Sequence, residues 1–346
     1  MKFRPKSHLC VHINLPKDEQ RQDQINMPIP QTMLSVVARD EVHLQFTLKE
    51  DVDIGRLFKA LGKLWESEIT GIADPTLNRH HQLTGGTANI VLGFKPELWR
   101  KVYPADVPDN LHSFDKDVVA ANGMIAPATQ LDLWIWITQS NAATLYDSMR
   151  KAVSLLSPFA DLASEQICFP YHNNVTFDGF ADGVANPNPF RANSVAIIPD
   201  GEKGEGGSTV LLQKWRMDVE KLKSLSVHEA ENVWGRTKAG SHQLSPLPED
   251  SHVGRNQFRR NGEEIDIVRR NANYGSAKDA GIMFVGFCND ITVTMGMLKQ
   301  MYGVGSDGVS KTDRLLDFST PLSSAIYFVP SLNALSKMNI SPADPD

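Results

Sequence analysis

Three side chains in this sequence sit in surroundings that suggest chemistry: a carboxylate, an imidazole and a guanidinium. The carboxylate is Asp182, in Phe177-Asp178-Gly179-Phe180-Ala181-Asp182-Gly183-Val184-Ala185-Asn186-Pro187. Gly179 and Gly183 permit a sharp bend on either side of it. Asn186, before a proline, is biased to an extended or turn conformation. An acid on such a turn can point into a pocket and move protons. The same composition builds ordinary surface loops, in which Asp182 would cap a helix or bond its own backbone. The imidazole is His252, in Ser251-His252-Val253, one of 10 histidines. Most isolated histidines lie on the surface or satisfied in the core, and a metal ligand needs supporting groups around it. The guanidinium is Arg269, in Ile267-Val268-Arg269-Arg270-Asn271-Ala272-Asn273-Tyr274-Gly275. Its plain alternative is a surface strand cation beside Arg270. Strand alternation puts Arg269 and Asn271 on one face and Arg270 on the other.

The elements that must position these groups read as follows. Val42, Leu44, Phe46 and Leu48 alternate with polar residues, which predicts a half-buried strand. Ile54, Leu57, Phe58, Leu61, Leu64 and Trp65 recur at helical spacing, which predicts an amphipathic helix over 52–68. Strands follow at 88–94 and 131–138, and a helix from Asn141 to about Leu156. In the second half the pattern predicts strands at 194–198 and 209–215, then a helix opened by Asp218. It ends with a strand at 282–287, a helix capped by Asp290 and a last strand at 325–329. The segments 131–156 and 282–304 are each strand, short turn and helix, near the end of their half. That pairing points to duplication of one α+β unit, and the alternation favours antiparallel sheets with helices on one face. The boundary is expected near residues 157–165, giving an N-terminal half over 1–160, a C-terminal half over 161–335 and a disordered tail over 336–346. Residues 1–30 read as an irregular lead-in.

Composition narrows the function classes. The chain of 346 residues is 41% hydrophobic and 22% charged, with a formal net charge of −6, which suits a soluble globular protein with a sizeable core. No basic stripe suggests a nucleic-acid partner. Three widely spaced cysteines, Cys10, Cys168 and Cys288, argue against a disulfide framework and suit a reducing compartment. No Cys-x-x-Cys pair is present, which argues against cysteine-ligated zinc. The N-terminal Lys2, Arg4 and Lys6 precede no apolar run, so a secretory signal is not expected, and no stretch is long and apolar enough for a membrane span. The expected location is the cytoplasm.

Five stretches taken in order resemble the dye-decolourising peroxidase family, in its compact bacterial type. They are Gly179-Phe180-Ala181-Asp182-Gly183, Gly235-Arg236-Thr237-Lys238, Ser251-His252-Val253, the run from Ile267 to Gly275, and Asp313-Arg314-Leu315-Leu316-Asp317-Phe318-Ser319-Thr320, with Phe328-Val329-Pro330-Ser331-Leu332 extending the match. The resemblance is strong from about Phe177 to Leu335, and weaker before that. It implies an α+β fold of two tandem ferredoxin-like units, with antiparallel sheets and flanking helices, of the dimeric α+β barrel type. It also implies haem b as cofactor, bound by the C-terminal unit, with hydrogen peroxide and an organic reductant as substrates and a homo-oligomeric assembly.

The resemblance also assigns roles. His252 matches the iron ligand, which needs a neutral imidazole whose other nitrogen is bonded to an acceptor. Asp182 and Arg269 match the pair on the opposite side of the iron: one shuttles a proton between peroxide oxygens, the other is a fixed cation for the leaving oxygen. Asn271 is expected to line that pocket as a hydrogen-bond donor. Asp313 is the candidate partner of His252, with Asp317 as its competitor. Arg191 could pair with a haem propionate or remain a solvated loop arginine. Trp215, Trp234, Tyr171 and Tyr274 could pass electrons or could be ordinary core aromatics. Met295, Met297 and Met301 read as helix packing. Ala185 departs from the pattern, because the family usually has Glu before the Asn-Pro; a route through that glutamate is therefore in doubt. The main reading is a peroxidase. A non-catalytic haem carrier or sensor, or a haem-iron-releasing enzyme, is the alternative, and a carrier would need His252 without the Asp182 and Arg269 pair.

Overall fold

Val42, Leu44 and Phe46 lie on one face of the first strand, β1 (Asp40–Leu48), and all three are buried. The computed structural model describes residues 28–34, 40–69, 89–172, 174–338 and 340; most of the N-terminal lead-in and residues 341–346 of the expected tail lie outside these. The opposite face of β1 is buried too. His43 is 1% exposed and Gln45 4%, so the strand is covered on both sides and not half-exposed as its alternation predicts.

The topology explains the second cover. Helix α1 (Ile54–Ile69) follows β1, then β2 (Asn89–Phe94), α2 (Pro96–Val102), β3 (Leu133–Gln139), α3 (Ala142–Leu156) and β4 (Ala160–Cys168). The C-terminal part supplies α4 (Pro189–Ala196), β5 (Ser208–Met217), α5 (Val219–Lys223), α6 (Val227–Trp234) and α7 (His252–Asn256). It continues with β6 (Val268–Arg269), β7 (Ala272–Gly275), β8 (Ala280–Cys288), α8 (Ile291–Met301), β9 (Ser319–Val329) and α9 (Leu332–Lys337). One antiparallel sheet runs β6-β8-β5-β9-β2-β3-β1-β4, with β7 also paired to β8. The order β2-β3-β1-β4 is repeated by β6/β7-β8-β5-β9, so each half is a ferredoxin-like α+β unit. The halves meet through the pair Phe328 and Phe94. At the far edges Phe169, just after β4, and Asn273 of β7 form a single antiparallel bridge; no continuous ladder closes the sheet among the described residues.

Because the two edges approach, the sheet has an inner and an outer face. Inner-face residues from both halves pack together, among them Trp134, Trp136, Val210, Leu212, Phe287 and Tyr327. His43 lies among them between Trp134 and Trp136, each ring centroid 5.9 Å away, and burial lowers its pKa to about 3. Outer-face residues Ile90, Leu92, Ile135 and Ile137 pack under α1 and α3. Asn141 caps α3 by accepting from the Ala143 and Thr144 N–H groups, as the sequence predicts.

Two local readings change. Residues 194–198, expected as a strand, fall in and after α4: Asn188 caps this helix and Pro189 opens it, and that start signal outweighs the short apolar run. The chain after Leu335 continues as the last turn of α9, and Ile340 is buried. No helix among the described residues is long and apolar enough to cross a membrane.

Packing between strands is tight at Gly93 of β2. A Cβ there would lie 2.7 Å from the Trp134 ring and 3.1 Å from Tyr327 Cβ. Gly93→Val is therefore expected to cost about 1–3 kcal/mol of stability by overpacking, read as a lower urea midpoint with an unchanged slope.

Candidate active site

The loop from Thr176 to Pro187 takes the sharp course its glycines allow. Gly179 and Gly183 have φ of 88° and 76°, in the left-handed region. The Thr176 N–H donates to the Phe180 carbonyl at 2.8 Å, and the Phe180 N–H to Thr176 Oγ1 at 3.0 Å, which closes the first bend. The second holds Asp182, whose Oδ1 accepts from the Gly183 N–H at 2.7 Å and from Asn271 Nδ2 at 3.3 Å.

Arg269 is fixed to this loop through Asn186. Asn186 Nδ2 donates to the Arg269 carbonyl at 3.0 Å, and its Oδ1 accepts from the Arg269 N–H at 2.7 Å. That two-way clamp replaces a strand partner with a side chain, and it ties Arg269 to the chain 83 residues earlier. The guanidinium of Arg269 reaches the Ala185 carbonyl at 3.4 Å and Met297 Sδ at 3.8 Å. Arg270 points away as alternation predicts, donating to the Leu34 carbonyl at 2.8 Å.

His252 opens the short helix α7, capped by Ser251, whose Oγ accepts from the Gly254 N–H at 3.1 Å. Its Nδ1 lies 2.7 Å from Asp313 Oδ2. Asp313 is 0% exposed, and its Oδ1 accepts from the Leu315 N–H at 2.9 Å. An ionised carboxylate only accepts, so the shared proton sits on Nδ1 and Nε2 keeps its lone pair. Asp313, and not Asp317, is thus the partner of His252. Arg255, 2% exposed, braces the same helix: it donates to the Gln300 carbonyl at 2.7 Å and pairs with Asp307 at 2.8 Å.

These groups surround one cavity of about 470 Å³. Asp182, Arg269, Asn271 and His252 all line it, with Arg191 and Arg236 among its other charged groups. Its walls are apolar side chains of β5, β8 and α8, including Leu211, Trp215, Phe284 and Met297. The methionine stretch read as helix packing therefore also faces the cavity, through Met297 and Met301. Arg191 is paired with Asp266 at 3.3 Å and its side chain is 60% exposed. Of the four aromatics considered for electron transfer, Trp215 and Trp234 line the cavity, whereas Tyr274 is buried in the inner-face cluster. Tyr171 packs on Phe177, with ring centroids 4.9 Å apart.

Electrostatics follow from enclosure. Burial raises the Asp182 pKa from its ordinary 3.8, against the Gly183 N–H, Asn271, Arg269 and His252, which lower it. Burial lowers that of Arg269, opposed by Asp266 and Asp182 and assisted by Arg236. Sequence reasoning overlooked three groups. Asn186 was read only as a turn residue, although an Asn before Pro that follows a bend is well placed to clamp a strand. Arg236 was visible only as part of a motif. Asp178, which accepts from Trp234 Nε1 at 2.7 Å, had no signal of its own.

Residues 173–334 match the family described as Dyp-type peroxidase, C-terminal. A dye-decolorizing peroxidase of Mycolicibacterium paratuberculosis is 31% identical over 255 residues, 71% of this chain and 70% of that protein. A dye-decolorizing peroxidase of Mycobacterium tuberculosis is 29% identical over 313 residues, 88% of this chain and 89% of that protein. Among solved structures, a variant of DypB from Rhodococcus jostii RHA1 in complex with heme superposes with a TM-score of 0.76 at 31% identity, over 88% of this chain and 97% of that one. The α+β architecture is thus that of known peroxidases, and the chain belongs to the dye-decolorizing peroxidase family.

The raised pKa of Asp182 has a consequence for stability. The folded protein binds this proton more tightly than the unfolded chain, so the stabilisation from protonated Asp182 is complete below pH 3.8 and lost as pH rises through the folded-state value. Asp182→Asn, assayed without added cofactor, should therefore raise Tm at neutral pH, with the gain shrinking toward zero in acid. A Tm difference independent of pH would contradict this.

Proposed function

We propose that this chain is a haem b-dependent peroxidase that reduces hydrogen peroxide at the expense of organic reductants. The observation that carries the reading is a histidine bonded to a fully buried carboxylate, in the same cavity as an acid and an arginine. A haem carrier needs the histidine and apolar walls, but has no use for Asp182 held by Asn271 or Arg269 held by Asn186.

The residues fit haem b on chemistry. Apolar walls suit the macrocycle, and about 470 Å³ lies within the range of small-molecule and cofactor sites. Arg191 and Arg236 offer cations for its carboxylates. Asn271 Oδ1 is buried with no partner among the described residues, as expected of a group that meets a bound molecule. His252 would hold the metal through Nε2, with Asp313 making the imidazole more electron-donating. When bound, haem supplies an iron that takes up oxidising equivalents from peroxide.

The protein's own part is to place protons and charge. Asp182 accepts a proton from one oxygen of hydrogen peroxide and returns it to the other, which leaves as water. Its raised pKa makes it a stronger base than a solvated aspartate. The Asn271 amide holds the carboxylate in place. Arg269 faces the charge that develops on the leaving oxygen; because the Asn186 clamp fixes its backbone, it needs little reorganisation in the reaction. Ala185 contributes through its backbone carbonyl, which any residue would supply, so a carboxylate at that position is not required for holding Arg269.

Two experiments test this reading. His252→Ala, supplied with haem, should lose most of the cofactor or its normal Soret band; an unchanged spectrum would remove His252 as the ligand. Arg269→Leu should slow the reaction with peroxide by about 10²–10³-fold in stopped flow, the cost of removing one preorganised donor. The rate should also fall in acid as Asp182 becomes protonated, and Asp182→Asn should remove that limb of the pH profile.

A further inference from the structure

Arg269 and Asn271 both line the cavity, whereas Arg270 between them turns to the inner face of the sheet. β6 and β7 pair with β8 in one register, with Arg269 opposite Gly286 and Ala272 opposite Met283. The Arg270 N–H continues that pairing by donating to the Val285 carbonyl at 2.8 Å. Residues 268–275 therefore keep one register along β8, and the Arg270 side chain is a handle on them from the inner side.

The N-terminal half holds this handle. The Arg270 guanidinium donates to the Leu34 carbonyl at 2.8 Å. Leu34 ends a short segment fastened to β2 by Gln31, whose Oε1 accepts from the Leu92 N–H at 2.8 Å and whose Nε2 donates to the Leu92 carbonyl at 3.0 Å. A second tie is electrostatic, because Arg270 and Glu41 of β1 attract one another. Glu41 is 6% exposed, and its Oε2 accepts from Trp136 Nε1 at 2.6 Å. It lies opposite Cys168, the last residue of β4, and the next residue, Phe169, bridges to Asn273 of β7. Glu41 thus stands where the edge of the N-terminal half meets the segment that carries Arg269. A plainer role for Glu41 is to satisfy a buried indole N–H. A glutamine oxygen would do that without the desolvation that a carboxylate suffers, and a buried charge pair is a poor source of stability. What the charge adds is its pull on Arg270.

We propose that Glu41 and Arg270 are positioning residues for the reaction with peroxide: ionised Glu41 holds Arg270 across the seam between the halves, and Arg270 holds the segment that places Arg269 and Asn271 in the cavity. The inference rests on the peroxidase reading. It makes the placement of Arg269 depend on pH. Burial raises the Glu41 pKa from 4.5 to about 7, against the Trp136 bond and the charge of Arg270, which lower it. Among the described residues, the other titratable groups facing Glu41 carry no charge near neutrality. Burial lowers the pKa of His43, two residues along β1, to about 3, and burial, with Glu41 itself, raises that of the Cys168 thiol on β4. Above a pH of about 7 Glu41 is therefore charged and pulls on Arg270. Below it Glu41 is neutral, and the Leu34 tie acts without it.

The test is the stopped-flow rate constant of haem-loaded protein with hydrogen peroxide, measured across neutral pH for the wild type and Glu41→Gln. The ratio of the two cancels the titration of Asp182, which is common to both. The wild type should be faster by about 3–30-fold above the Glu41 pKa, the range for changes that act on a site through intervening structure, and equal to the variant below it. Fluoride gives a reading without turnover, as an anion that would accept from Arg269 and Asn271. Its affinity for the ferric haem-loaded protein should show the same pH-dependent ratio. Trp136→Phe removes a bond that favours ionised Glu41 and should move the wild-type step to higher pH, which tests the same carboxylate even where Glu41→Gln fails to fold. A ratio that is near one at every pH, or constant with pH, overturns the positioning role alone, as does a step that Trp136→Phe leaves in place. A wild-type Soret band unchanged on adding peroxide overturns the peroxidase reading and this inference with it.

Discussion

A carboxylate with no exposure to solvent must be compensated by partners, and Asp313 finds them in two donors, the His252 ring and the Leu315 N–H. Removing either donor leaves a buried carboxylate short of a hydrogen bond, which costs more than an ordinary hydrogen bond contributes. The local chain is built to prevent that. The Asp313 N–H bonds the Met301 carbonyl at 2.8 Å, and the Arg314 N–H bonds the Asp250 carbonyl at 2.9 Å, which ties the segment to the end of α8 and to the approach to α7. Arg255 adds a third tie, from α7 to the end of α8. The tautomer and direction of His252 therefore follow from packing, not from the histidine itself.

The opposite side of the cavity is organised differently. Asp182 and Arg269 come from segments that share no continuous strand pairing, and side-chain amides join them. Asn186 clamps the backbone of Arg269, and Asn271 holds the carboxylate of Asp182. Such bonds are stronger in a low-dielectric cavity than in water, so the pair can be preorganised although Asp182 sits on a loop. The duplicated sheet supplies the space. In the N-terminal half the outer face is filled by α1 and α3, whereas in the C-terminal half part of the outer face lines the cavity.

Much of this was legible in the sequence. The main strands and the helix caps at Asn141, Asp218 and Asp290 follow from periodicity and capping chemistry, which act over a few residues. Alternation separated Arg269 from Arg270 correctly. The choice between Asp313 and Asp317 was not legible: both lie in one short stretch, and only tertiary packing decides which turns inward. Residues 194–198 misled because a short apolar run suits a strand or a helix equally, and Asn188-Pro189 decides between them. Burial of β1 on both faces could not be read locally either, since its second cover comes in part from strands of the other half of the chain. Asp178 escaped notice for the same reason, with its indole donor 56 positions along the chain.

In the proposed peroxidase, with His252 holding the iron, its bond to Asp313 makes the imidazole more electron-donating, and Asp313→Asn isolates that effect by keeping the shape and removing the charge. The measurement is the reduction potential of the haem-loaded protein, with the iron–histidine stretching frequency of the reduced form read on the same sample. The expected result is a more positive potential and a lower stretching frequency in the variant. An unchanged potential and frequency, with His252 still the ligand, would contradict the role of this bond.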